Sequence, residues 1–114
     1  MHELSVAEEI INIANQYIPT ESQSDVISVK VEIGKLSNIL PDSLKFCFDA
    51  LTVDTRLNGA RLIIEENPII ILCEDCGKTS EIKQMFFQCK FCDSTKVKLL
   101  KGNELKVTEI EIND

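Results

Sequence analysis

The sequence lacks the features that several classes of protein require. No apolar run approaches the ~20 residues that a helix needs to span a bilayer, and the first residues include acidic side chains where a secretory signal would be basic and then apolar. There is one histidine, and no arrangement of nucleophile, base and oxyanion-stabilising group is visible. We therefore expect a cytosolic protein that crosses no membrane and is not an enzyme.

Positive charge is also scarce. The chain has 12 basic and 19 acidic residues, for a formal charge of -7. Residues 68–103 carry +2 before any cysteine ionises, so the remainder carries -9. Because non-specific nucleic-acid binding needs basic surface to neutralise phosphates, this balance argues against a nucleic-acid partner and favours a protein partner or a cation.

Apolar periodicity predicts two helices. From residue 4 to residue 18 apolar side chains recur every three or four positions, and a capping box of Ser5 and Glu8 would begin this helix at Ser5. Pro19 ends it. The second helix is predicted to begin at Pro41, because proline is favoured at the first helical position. Its apolar face comprises Leu44, Cys47, Phe48 and Leu51.

Three strands are predicted, at residues 26–33, 60–66 and 104–112. The first alternates polar residues with an inward set comprising Ile27, Val29, Val31 and Ile33. In the third, Leu105 and Val107 are out of phase with Ile110 and Ile112, and a one-residue bulge near Thr108 or Glu109 would restore a common face. Together the elements predict an α+β fold with a small, mainly antiparallel three-stranded sheet covered on one face by the two helices.

Four of the five cysteines form two Cys-x-x-Cys pairs, separated by twelve residues: Cys73 with Cys76, and Cys89 with Cys92. Two intervening residues let both sulfurs of a pair turn toward one ion, and Gly77 can take the positive φ that such a turn needs. Without an export signal, disulfides are disfavoured. The pattern predicts a closed, four-thiolate structural zinc site.

The segment between residues 68 and 103 differs in character from the rest and is predicted to be an inserted, rubredoxin-like zinc ribbon whose folding depends on its metal. Two alternatives use the same cysteines: an iron-binding electron carrier, and a structural zinc-ribbon adaptor that docks proteins. The fifth cysteine, Cys47, lies at helical spacing within an apolar face and is predicted to be a small packed side chain.

A second metal site is predicted at the start of the chain. The α-amine of Met1, the amide nitrogen of His2 and the His2 imidazole can close two adjoining chelate rings. Glu3 could add its amide nitrogen, or its carboxylate could support the site from outside. This flat nitrogen set favours nickel(II) or copper(II) over zinc. The alternative is a solvated histidine of no consequence. Two unlike metal sites in one small chain indicate metal delivery.

The opening MHELS, the IGKL at residues 33–36, the helix at 42–48 and the spaced cysteine pairs resemble the HypA/HybF family of nickel metallochaperones. The resemblance implies a nickel-binding domain at 1–67 and 104–114 that carries an inserted zinc-binding domain at 68–103. It further implies that His2 ligates nickel as a transient cargo with Glu3 in support, while the four paired cysteines hold zinc.

The same resemblance implies partners. They are a GTPase accessory protein and the large subunit of a nickel-iron hydrogenase, with urease accessory proteins in some organisms. Some family members recruit an additional histidine from the zinc module as a nickel ligand. Residues 68–103 of this chain contain no histidine. The state of the protein as monomer or homodimer stays open at this stage.

Overall fold

The computed structural model describes residues 3–18, 25–83 and 86–113. In chain order the elements of these residues are α1 (Glu3–Tyr17), β1 (Asp25–Gly34), a 3-10 turn (Lys35–Ser37), α2 (Pro41–Leu51), β2 (Arg61–Asn67), β3 (Ile69–Cys73), β4 (Thr79–Ile82), β5 (Val97–Lys101) and β6 (Leu105–Asn113). The strands form two three-stranded sheets, with strand orders β2-β1-β6 and β4-β3-β5. Within the described ranges, neither helix has the length and apolar character to traverse a bilayer. The predicted α+β class is confirmed.

The helices pack with the first sheet around one core. Leu44 and Phe48 of α2 are fully buried, and Cys47 and Leu51 pack against the same core, as predicted. Pro41 occupies the first turn of α2, also as predicted. From α1 the buried residues are Val6, Ala7, Ile10 and Ala14. The helices therefore hold one face of the sheet away from water.

Helix α1 begins at Glu3, so the predicted start at Ser5 is wrong. The Glu3 carboxylate lies in the first turn, where negative charge is favourable near the positive end of the helix dipole. It also accepts a hydrogen bond from the backbone of Leu40. These two interactions favour a helix that starts two residues before Ser5, the predicted first residue. Pro19, the predicted stop, lies outside the described residues.

Strand β1 is central in the first sheet and pairs antiparallel with β6. Its pairing with β2 is parallel, whereas β3 pairs antiparallel with both β4 and β5. Three of these four pairings are antiparallel, but in the first sheet, which the prediction concerned, one pairing is antiparallel and the other is parallel. The parallel pair arises because β1 and β2 are joined through α2, and a connection of that length lets the chain cross over before it pairs.

The bulge predicted in the last strand is present at Thr108. Lys30 of β1 faces Glu109, while the next residue, Val31, faces Val107. Thr108 therefore has no paired residue in β1, and its hydroxyl donates a hydrogen bond to the carbonyl of Lys30 at 3.3 Å. The residues that this phase change brings onto the common core are Leu105, Val107 and Ile110.

A second irregularity at Ile27 was not predicted. Val26 faces Ile112 and Ser28 faces Glu111, so the pairing skips Ile27. Ile27 is 43% exposed, whereas Val26 and Ser28 are both buried. The expectation that Ile27 points inward is wrong, because a bulge changes which side chains face the core.

The second sheet lies wholly within the segment predicted to be inserted. Its small core contains Ile69, Ile71 and Ile82, with partly buried Leu36, Phe87, Val97 and Leu99 packed against it. Leu36 comes from the 3-10 turn after β1, so the first part of the chain contributes to this core. The division into two domains stays a prediction.

The two sheets meet where the chain leaves and re-enters the first sheet. The N–H of Gly34 donates to the carbonyl of Glu104 at 2.9 Å, and that of Leu36 donates to Gly102 at 2.7 Å. A Cβ at Gly34 would lie 2.0 Å from the carbonyl carbon and oxygen of Gly102. Glycine is therefore required here for space, because its φ of -76° suits any residue.

The buried amide of Asn67 completes this junction. Its Nδ2 donates to Glu32 Oε1 at 3.0 Å and to Glu104 Oε2 at 2.8 Å. Glu104 Oε1 also accepts from the N–H of Gly102 at 2.5 Å. Burial raises the pKa of Glu104, but the donors from Gly102 and Asn67 outweigh it, so the pKa lies below its ordinary value.

The Glu104 carboxylate should make folding stability depend on pH. The pKa of this carboxylate is lower in the folded chain than in the unfolded one. The ionised carboxylate therefore stabilises the fold at pH values above its ordinary pKa, and this contribution is lost as the pH falls from the ordinary pKa through the lower, folded-state pKa. We expect the difference in unfolding free energy between wild type and Glu104→Gln to be larger at neutral pH than in acid. Urea unfolding at both pH values measures it, and a constant difference would contradict the assignment.

Candidate metal centres

Two similar turns present the four paired cysteines. In the first, Gly77 N donates to Cys73 O at 2.9 Å, and Gly77 has a φ of 77°, as predicted. In the second, Asp93 N donates to Cys89 O at 3.1 Å, and Asp93 takes the corresponding positive φ of 63°. Aspartate tolerates this left-handed conformation better than most residues. No glycine marks the second turn in the sequence.

The turns bring the four sulfurs together. The Sγ atoms of Cys73 and Cys92 are 3.5 Å apart, and those of Cys76 and Cys89 are 3.6 Å apart. All four lie within 4.8 Å of one another, and they form the one group of three or more metal-ligating side chains found in the described part of the chain. Four bonds of ~2.3 Å to a tetrahedral ion place sulfurs about 3.8 Å apart. The cluster therefore has the dimensions of a single-metal site.

Backbone donors favour the thiolate form of the first cysteine in each turn. The N–H of Cys76 donates to Cys73 Sγ at 3.4 Å, and that of Phe91 donates to Cys89 Sγ at 3.3 Å. These hydrogen bonds outweigh the effect of burial and lower the pKa of Cys73 and, to about 6, the pKa of Cys89.

The second cysteine of each turn behaves oppositely. The Ser94 N–H alone would lower the pKa of Cys92, but the hydrogen bond with Cys73 and the loss of solvent raise it to about 12. The pKa of Cys76 is also raised, because desolvation and the Cys89 sulfur outweigh the donor from Lys78. Because a metal ligand must be a thiolate, a divalent cation that binds here has to displace the protons of Cys76 and Cys92, whose pKa values are raised.

Side chains join the two turns outside the sulfur cluster. Ser94 Oγ donates to the carboxylate of Asp75, which lies in the other turn. Lys78 Nζ is 4.7 Å from the ring centroid of Phe91, within the range of a cation–π interaction. Neither contact is predictable from the sequence, because no local pattern signals which side chains of two separate turns will meet.

The predicted nickel site is described in part. Met1 and His2 lie outside the described residues, whereas Glu3 opens α1. Glu3 Oε2 accepts a hydrogen bond of 3.2 Å from the N–H of Leu40, the N-cap residue of α2. The start of the described chain is therefore fixed beside the start of α2.

A family model described as hydrogenase/urease nickel incorporation, metallochaperone, hypA matches residues 1–112. The chain belongs to the HypA family. It is 42% identical over 115 residues to the hydrogenase maturation factor HypA of Desulfatibacillum aliphaticivorans, covering 100% of this chain and 88% of the relative. Its identity to the HypA of Desulfosudis oleivorans is 39%, with full coverage of both. The resemblance inferred from the sequence is confirmed.

Solved structures agree with the fold of this HypA family member. The solution structure of the nickel metallochaperone HypA from Helicobacter pylori has a TM-score of 0.68 at 22% identity, covering 98% of this chain and 97% of that one. A second HypA solution structure gives a TM-score of 0.71 at 23% identity, with 99% and 97% covered. HypA proteins are nickel metallochaperones that act with other accessory proteins in hydrogenase maturation, and they are not enzymes.

Proposed function

We propose that this HypA family member carries nickel(II) at its N-terminus and delivers it for maturation of a nickel-iron hydrogenase, and of urease where the organism makes one. The observation that carries the proposal is the end-to-end match to the family model, which includes Met1, His2 and Glu3. A GTPase accessory protein, the hydrogenase large subunit and urease accessory proteins are the proposed partners, in the cytosol.

The donor set follows from the chemistry of the first residues. The Met1 amine, the His2 amide and the His2 imidazole supply nitrogen in a flat array that suits nickel(II). The Glu3 N–H, at the first position of α1, has no acceptor within the helix. Its nitrogen can therefore join the set without breaking a helical hydrogen bond.

The Glu3 carboxylate is proposed to support this set from outside. Its Oε2 is already bound to the Leu40 N–H at 3.2 Å. That contact positions the backbone immediately after His2 against the N-terminus of α2. A carrier needs an ordered but accessible site, because an ion enclosed by the protein would leave slowly.

The four cysteines are proposed to hold zinc with a structural role. Four sulfur ligands at tetrahedral spacing leave no coordination position for a substrate. The same ligands accept iron, so metal analysis of the purified protein decides between them. Two sites of different chemistry would let the protein retain one ion and release the other.

The test of the nickel site is His2→Ala. The variant should lose nickel binding, because it removes the imidazole that closes the chelate, while zinc per chain and the far-UV spectrum stay unchanged. Isothermal titration with nickel and metal analysis measure the two properties. Unchanged nickel affinity would reject this nickel site and favour the alternative function, a structural zinc-ribbon adaptor that docks proteins.

Two substitutions of Glu3 test how its carboxylate acts. Glu3→Gln keeps an oxygen that can accept from Leu40, whereas Glu3→Ala removes it. If the carboxylate supports the site from outside, nickel affinity should be close to wild type in Glu3→Gln and lower in Glu3→Ala. Equal loss in both variants would make the carboxylate a direct ligand.

A further inference from the structure

The four sulfurs of the cluster form two close pairs, and each pair crosses from one turn to the other. Cys73 Sγ lies 3.5 Å from Cys92 Sγ, and Cys76 Sγ lies 3.6 Å from Cys89 Sγ. The sulfurs of a disulfide are ~2.05 Å apart, so a movement of about 1.5 Å would bring either pair to bonding distance. The cluster is therefore arranged for two disulfides between the turns.

Each close pair combines an exposed cysteine with a buried one. Cys76 and Cys92 are exposed, whereas Cys73 and Cys89 are each only 1% exposed. Exposure is one of the factors that determine which thiolate is oxidised first, and sensor cysteines commonly lie beside a second cysteine that resolves the oxidised one. A dissolved oxidant would therefore reach the exposed sulfur of a pair, and the buried sulfur would be in place to react with it.

Contacts that involve no sulfur atom orient the two turns toward one another. Ser94 of the second turn donates to Asp75 of the first, and the N–H of Glu74 donates to the carbonyl of Lys96 at 2.9 Å. The cation–π contact described above also joins the two turns. None of these contacts depends on a metal ion. They therefore favour linkage between the turns over linkage within each turn.

The chemistry requires an oxidant, and a peroxide supplies it. The Cys92 thiolate attacks one oxygen of hydrogen peroxide, the O–O bond breaks, and hydroxide leaves a sulfenic acid on Cys92. The Cys73 thiolate then attacks the Cys92 sulfur, the S–O bond breaks, and hydroxide leaves the disulfide. A second peroxide oxidises the other pair in the same way. The four sulfurs lose four electrons to two peroxides, and no thiolate remains to hold a divalent ion.

Links between the turns would stabilise the second sheet in place of an ion. Cys73 is the last residue of β3, and Cys92 lies in the segment that leads into β5. A disulfide between them would tie together two parts of the chain that are separated by the whole of β4. Because a disulfide stabilises more when it closes a longer loop, links within single turns would contribute much less.

We propose that the four paired cysteines form a redox switch, in which a peroxide links Cys73 to Cys92 and Cys76 to Cys89, expels zinc and leaves the second sheet folded. The inference rests on the proposed zinc site. A dithiol reductant would reverse the reaction and allow zinc to bind again. The proposed nickel donors are nitrogen atoms, which this chemistry does not alter.

Disulfide mapping tests the pairing in the zinc-loaded full chain. Two equivalents of hydrogen peroxide, without thiol reductants, should release zinc in proportion to the disulfide formed, as a chromogenic zinc indicator measures. Trypsin cleaves after Lys90 and Asp-N protease cleaves before Asp75, so together they separate the two cysteines of each turn. Mass spectrometry of the unreduced peptides then identifies each link. Any other pairing, or zinc loss through sulfinic acids without disulfides, would overturn the proposal.

A control variant and metal analysis complete the mapping experiment. Cys47→Ser should give the same two links as wild type, because Cys47 lies outside the four-sulfur cluster. Metal analysis before oxidation distinguishes a failure of the zinc assignment from a failure of the switch, because the links are mapped whichever ion the cluster holds.

Two zinc-free forms of the same chain test whether the disulfides hold the second sheet. One form is oxidised with peroxide, and the other is kept reduced and treated with EDTA. Amide exchange over residues 69–101 should be slower in the oxidised form by at least about a hundredfold, because its two links restrict the unfolded segment. Dithiothreitol with added zinc should restore the original exchange and zinc content. Equal exchange in the two zinc-free forms would overturn the proposal.

Discussion

Cys73→Ser should abolish zinc binding and unfold the second sheet while the first sheet persists. Four thiolates hold the proposed ion, and the apparent contribution of zinc to small modules is about 10–16 kcal/mol at neutral pH. The core of the second sheet has three fully packed residues, Ile69, Ile71 and Ile82, which cannot replace that contribution. Zinc per chain and amide hydrogen exchange over residues 69–101 and 25–34 measure the outcome.

Cys47→Ser is the matched control for this experiment. Cys47 is half-buried on α2 and takes no part in the four-sulfur cluster. This variant should keep full zinc occupancy and normal exchange protection over residues 69–101. If Cys73→Ser retains both properties, the metal is not what holds the second sheet.

Gly34→Ala should destabilise the chain by about 3 kcal/mol or more, near the upper end for a single substitution. The new methyl group would overlap the carbonyl of Gly102, which is backbone and cannot rotate away. The strain would fall where Asn67 joins Glu32 and Glu104. We therefore expect weaker contacts between the two sheets as well as a lower unfolding free energy.

Gly59→Ala provides the comparison for this prediction. Gly59 has a φ of +83° and no atom within 4 Å of an added Cβ, so its cost is conformational and should be about 1–2 kcal/mol. Denaturant unfolding of both variants, with exchange measured at Gly102 and Leu36, tests the ranking. An equal loss of unfolding free energy in the two variants would show that the backbone around Gly34 and Gly102 can shift to accommodate the methyl group.

The periodic elements could be predicted because their burial patterns are local. Pro41 and the four-residue spacing on α2 were sufficient for that helix. Ile27 was misassigned because it fits an alternating pattern, and a bulge depends on the partner strand. The parallel direction of β2 also depends on how the crossover packs, which no property of Arg61–Asn67 alone encodes.

The cysteine cluster was predictable for a related reason. Two residues between paired cysteines fix the geometry of each turn, and Gly77 marks the first turn in the sequence. The positive φ of Asp93 carries no such mark, since aspartate is common in many other settings. The contact between Glu3 and Leu40 joins residues far apart in the chain, so only the tertiary structure reveals it.

The junction has a consequence for how chains of this kind can diversify. Asn67 and Glu104 flank the segment that carries the four paired cysteines, yet their side chains are 2.8 Å apart. An excursion whose exit and return are neighbours can lengthen, shorten or be replaced without pulling the host strands apart. The first sheet with its helices and the cysteine-bearing segment can therefore accumulate changes at different rates within one polypeptide.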